Sequence, residues 1–123
     1  MERGEMERAV LVYTTYPSIV EAERAGRAIV EARLAACVNI VPHMVSHYWW
    51  QGAIERGEEV VMIIKTRASL AERVSGAVKA SHPYTVPALL VLPVLHVDPA
   101  YNAWLMAETE AAATATANAP GAT

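Results

Sequence analysis

Two rhythms of apolar and polar residues divide the chain. Residues 9–14 (AVLVYT) form a short apolar, β-rich run, and the TTYPS that follows supplies a turn at Pro17 and a helix cap at Ser18. From residue 19 to 36 the apolar positions Ile19, Ala22, Ala25 or Gly26, Ile29, Val30 and Leu34 recur at steps of three and four, with charged residues between them. That spacing predicts an amphipathic helix. Residues 37–50 are rich in valine, aromatic and β-branched side chains. They are followed by the polar QGAIERGEE and then by VVMIIKT at 60–66, which predicts two strands joined as a long hairpin.

A second helix is predicted over 69–80. Leu70, Val74, Ala77 and Val78 share one face, and Ser69 stands three residues before Glu72, the spacing of a capping box. It must stop before His82-Pro83, because the residue preceding a proline disfavours the helical region. Residues 88–97 read as a fourth strand, and Pro93 inside it calls for an edge position or a bulge. Asp98-Pro99 opens a short helix carrying Tyr101, Trp104, Leu105 and Met106. After Met106 no large apolar residue remains, so residues 109–123 are expected to form a low-complexity, disordered tail, with residues 1–8 flexible at the other end. One domain over 9–108 is left between them.

The order βαββαβ assembles, with right-handed crossovers, into a four-stranded antiparallel sheet carrying both helices on one face, a ferredoxin-like α+β sandwich. Two helices cover one face only, yet VVMIIK and ALLVLPVL are apolar at consecutive positions, as strands buried on both faces are. Together with Tyr48, Trp49 and Trp50 near the hairpin tip, this predicts association with further copies of the chain.

Composition narrows the function. A net charge of −3 with ten basic residues spread along 123 positions gives no basic stripe, which argues against nucleic acid as a partner. The charged start MERGEMER is no secretory signal and no apolar segment reaches the length of a membrane span, so a cytoplasmic protein with no membrane partner is expected. The single cysteine, Cys37, has apolar neighbours and reads as a packed thiol. No nucleophile with a base, no HExxH-like pair and no glycine-rich phosphate loop is present, which favours a binding protein with no organic cofactor over an enzyme. His43 and His47 fall on one face of an extended strand but about 13 Å apart, too far for one ion.

The segments LAACVNIVP (34–42), HYWWQG (47–52), VVMIIKT (60–66), SHPYTVPALLVLPV (81–94) and AYNAWL (100–105) closely resemble the CutA family of divalent-cation tolerance proteins in order and spacing. The resemblance implies a ferredoxin-like protomer in a tight, PII-like homotrimer, and an association with copper tolerance and binding of divalent copper. His82 matches the family's His-Pro-Tyr segment, and imidazole suits divalent copper, so His82 is the candidate metal ligand. Lys65 matches the family's Lys-Thr pair. With Thr15, Trp50, Tyr84 and Tyr101 it is expected to line an intersubunit cleft able to hold an anion or small metabolite, the alternative role being that of a PII-like sensor or scaffold. The chain departs from the family at Ala88, where members commonly carry an acidic residue, at Gln51 and Ala53 in the hairpin tip, and at Thr14, where some bacterial members have a reactive cysteine.

Overall fold

A computed structural model of the chain describes residues 7–118. Its elements are β1 (Ala9–Tyr16), α1 (Ile19–Glu31), β2 (Cys37–Trp50), β3 (Ala53–Arg67), a 3-10 turn at Ala68–Leu70 leading into α2 (Ala71–Ser81), β4 (Leu89–Pro93) and α3 (Pro99–Asn118). The strands form one antiparallel sheet in the order β2-β3-β1-β4, so the molecule is an α+β fold. Val12, Tyr16, Met62 and Ile64 of the central strands pack in one core with Ala22, Ala25 and Ile29 of α1 and Val74 and Val78 of α2. Both helices therefore cover the same face of the sheet.

Local chemistry sets the boundaries. Ser18 caps α1 by accepting the Glu21 N–H at 3.2 Å. The helix ends well before residue 36, because Arg33 turns into the left-handed region at φ 64. The Arg33 and Leu34 amides then bond back to the carbonyls of Val30 and Ile29, a Schellman closure without the usual glycine that folds Leu34 and Ala35 into the core. At Gly26 α1 lies close against the sheet. A Cβ there would meet Met62 Sδ and Val38 Cγ2, each at 2.9 Å.

The hairpin is longer than its polarity suggests. The ladder runs out to Trp50 opposite Ala53 and turns over two residues, Gln51 (φ 50) and Gly52 (φ 83), both positive as a type I′ turn requires. The polar stretch after Trp50 is thus strand, exposed because it projects past the helices. Between Val41 and Met44 the register shifts, with His43 at φ 68. This bulge reverses the parity of β2. Odd residues to Val41 and even residues from Met44 share one face, and His43 lies within the irregularity itself.

Three expectations are corrected at the ends of elements. Ser69 does not form a capping box; its hydroxyl and amide both donate to Glu7. β4 is shorter than residues 88–97 and lies at the sheet edge, with Pro93 closing its ladder opposite Val10. The tail is not loose after residue 108, since α3 continues to Asn118, and Thr109, Ala112 and Ala113 are buried. Small side chains let that helix lie close against the body without a large residue to anchor it. At the other end Glu7 and Arg8 are held, by Arg67 and by the Ala68 amide. Residues 1–6 and 119–123 of the two expected flexible ends lie outside the described residues.

The face of the sheet away from α1 and α2 carries Leu11 and Tyr13 of β1, Val61 and Ile63 of β3, Val41 of β2, and Leu90 and Leu92 of β4, the last three exposed.

Candidate functional site

At one end of this open face a cleft of about 1050 Å³ is lined by Thr15, Ser46, Tyr48, Trp50, Glu55, Glu59, Tyr84 and Ala88, among others. The bulge in β2 is what turns Ser46, Tyr48 and Trp50 toward it. Glu59 is the centre of its polar contacts. One carboxylate oxygen, Oε2, accepts from Thr15 Oγ1 at 3.3 Å and from Tyr84 Oη at 3.1 Å, and the other lies 3.5 Å from Ser46 Oγ. Among the described residues no cationic side chain pairs with Glu59. Burial first, then the bond to Glu59 and its charge, pushes the Tyr84 phenol up from 10.0, so Tyr84 stays a hydrogen-bond donor to the carboxylate throughout the neutral range.

His82 stands behind this cluster at the end of α2. It is half-buried, its Nε2 is 2.6 Å from the Thr15 carbonyl, and its Nδ1 accepts the Tyr84 N–H at 3.1 Å. The ring stacks on Tyr16 with centroids 4.4 Å apart. The helix end and Pro83 thus turn the ring inward onto β1, with neither nitrogen offered freely at the surface.

Of the five residues expected to line one cleft, a single protomer brings together Thr15, Trp50 and Tyr84. Lys65 and Tyr101 meet each other elsewhere, Nζ to Oη at 3.3 Å with the ammonium 5.5 Å from the ring centroid. Lys65 pairs with Leu11 across the sheet, four residues along β1 from Thr15, which is about 13 Å. Thr14 is fully buried on the helix face, one residue out of phase with the cleft, while Ala88 and Gln51 line it.

Divalent copper takes several nitrogen and oxygen donors. Among the described residues of one chain no three His, Cys, Asp or Glu side chains are grouped to hold such an ion, and both His82 nitrogens are already engaged. A single protomer therefore does not fit a resident copper ion; it offers the Glu59 carboxylate and its hydroxyl escort. Sequence reading missed Glu59, although counting back by twos from Lys65 through Ile63 and Val61 places it on the open face.

Tyr16 lies beneath His82, fully buried. Among the described residues its hydroxyl has no hydrogen-bond partner, and nearby Ser81 turns its own hydroxyl to the carbonyls of Ala77 and Val78. Burial chiefly, with the charge of Glu21 adding and Ser81 opposing, raises its pKa above 10.0. A raised folded pKa gives stability that is complete below the unfolded pKa and is lost as pH climbs through the folded one. Tyr16→Phe is thus expected to stabilise by about 1 kcal/mol near neutrality, since it removes an unsatisfied buried hydroxyl. Its denaturation midpoint should draw further ahead of the parent's above pH 10, and a gap that narrows there would contradict this account.

A family model described as CutA1 divalent ion tolerance protein matches residues 10–108. The divalent-cation tolerance protein CutA of Thermus thermophilus is 42% identical over 104 residues, 85% of this chain and 99% of that protein. The chloroplastic protein CutA 1 of Oryza sativa is 41% identical over 101 residues, covering 82% of this chain but 57% of its relative, so the chain spans little more than half of the plant protein. Among solved structures, that of CutA from Xylella fastidiosa superposes with a TM-score of 0.80 at 37% identity, covering 82% of this chain and 97% of the other.

Proposed function

The chain belongs to the CutA1 divalent ion tolerance protein family, and from that membership we propose that it binds divalent cations, copper first among them, as a homotrimer of ferredoxin-like protomers. The reading is of a cytoplasmic binding protein and not of an enzyme. The observation that carries it is Glu59, a carboxylate fed by hydroxyl donors, facing an open cleft, with Glu55 on the same lining. Such a group favours a cation that approaches from solvent. In this reading the ion is cargo, and water or a neighbouring copy completes its ligands. The trimer is supported by the sheet's open face, where Val41, Leu90 and Leu92 stay 42–54% exposed beside half-buried Val61 and Ile63, an apolar patch of the kind that marks an interface.

Calorimetric titration of copper(II) into the protein tests the reading. Saturable binding is expected, weakened about tenfold or more by Glu59→Gln, which corresponds to about 1.4 kcal/mol, and unchanged by Lys65→Ala. Equal affinity in parent and Glu59→Gln would sink it.

One observation favours a second reading, a PII-like sensor that takes a small anion or partner protein. Lys65 has a phenol but no carboxylate at ion-pair distance among the described residues. In that case inorganic phosphate should raise the melting temperature of the parent and not of Lys65→Ala.

A further inference from the structure

His82 touches two of the residues that serve Glu59, Thr15 and Tyr84, and it touches them with both ring nitrogens. Tyr84 donates its amide to Nδ1, so the Nδ1 lone pair is spent and the neutral ring's proton sits on Nε2, facing the Thr15 carbonyl at 2.6 Å. A neutral imidazole has one lone pair in its plane, and here none is left for an ion. The ring is also clamped, stacked on Tyr16 at 4.4 Å and tilted against Tyr84 at 4.9 Å. Beyond each contact the path is one residue long. Thr15 Oγ1 and Tyr84 Oη converge on the same oxygen, Oε2 of Glu59. The imidazole thus spans strand β1 and the turn after α2 behind the carboxylate and fixes the spacing of its two donors.

We propose that His82 is a positioning residue that holds Thr15 and Tyr84 on Glu59, and that a cation in this cleft is bound through oxygen and not through the His82 imidazole. The inference rests on the cation-binding reading of the cleft and deepens it.

The discriminating substitution is His82→Gln, whose side chain can still donate to the Thr15 carbonyl and accept from the Tyr84 amide. On the full-length protein His82→Ala is expected to lower copper(II) affinity about 10- to 100-fold, the usual cost of losing an outer-shell partner, and His82→Gln to restore most of it. Pulsed electron paramagnetic resonance of the copper(II) complex should show no imidazole nitrogen coupling that disappears in His82→Gln. Coupling that disappears with this substitution, or a glutamine variant as weak as alanine, overturns the proposal. If the parent binds no copper at all, the cation reading fails, and the positioning role is decided by nitrogen-15 spectra of the ring. A proton on Nε2 with Nδ1 as acceptor upholds it, and the opposite tautomer or a freely rotating ring refutes it.

Discussion

Arg67→Ala is expected to lose about 3–5 kcal/mol of stability, the cost of stripping one partner from a buried ion pair. The guanidinium is 2% exposed and every direction of its fork is occupied. It pairs with Glu7 at 2.9 Å and Glu110 at 3.1 Å, donates from Nε to Thr109 Oγ1 at 2.9 Å, and reaches the Met106 carbonyl. Alanine would take from Glu7, itself only 11% exposed, the guanidinium it pairs with at 2.9 Å. It would also release α3 from the end of β3. The measurement is the urea midpoint at matched protein concentration, since association makes apparent stability depend on concentration. Arg67→Met paired with Glu7→Gln should recover much of the loss, because an apolar replacement without a stranded charge is tolerated. Loss below about 1 kcal/mol in Arg67→Ala would put this site in the class of exposed pairs.

Met62→Ala is expected to cost about 2–5 kcal/mol through the cavity left in the core. Met62 is fully buried at the middle of β3, and its sulfur fills the space that Gly26 leaves open below α1. The same contact makes a coupled test. Gly26→Ala alone should destabilise, as overpacking commonly does by about 1–3 kcal/mol, whereas in a Met62→Ala background one of its two close contacts is gone and Val38 Cγ2 alone must give way. The double variant should therefore be more stable than the sum of the two single losses predicts, and strict additivity would contradict the packing described.

How legible this was in the sequence depended on which force set each feature. The order of elements, the edge position of β4 and the apolar open face follow from periodicity and from Pro93, all local signals. The Arg33 closure of α1 was not legible, because an arginine in a left-handed conformation leaves no signature of its own; Glu108, its ion-pair partner, is 75 residues away along the chain. The helical residues 109–118 were misread because alanine and threonine look like a polar tail until Arg67 and the core give them a surface to lie on. At the site, Thr15 and Tyr84 were anticipated through the resemblance. Lys65 and Tyr101 were expected with them in a cleft between subunits, and sequence order alone does not say which of the five one protomer brings together. The role of His82 turned on which way its ring faces, and that is decided by Thr15 and Tyr16 on another strand.

The bulge after Val41 also bears on how such a site can change by descent. Trp49 and Trp50 are adjacent indoles, and in a pleated strand only one of them can look into the cleft. Their identities do not choose which one; a single extra residue near position 43 does. Pairing position 43 with Glu59 instead of bulging it, with no residue lost, would exchange the two tryptophans, retire Ser46 and Tyr48 from the cleft and bring His47 onto its face. Deleting one codon there would instead heal the ladder and leave Met44 opposite Glu59 and Trp50 opposite Ala53, so a lineage could lose the bulge and keep the lining, but could not straighten it in place without replacing hydroxyl and phenol by imidazole.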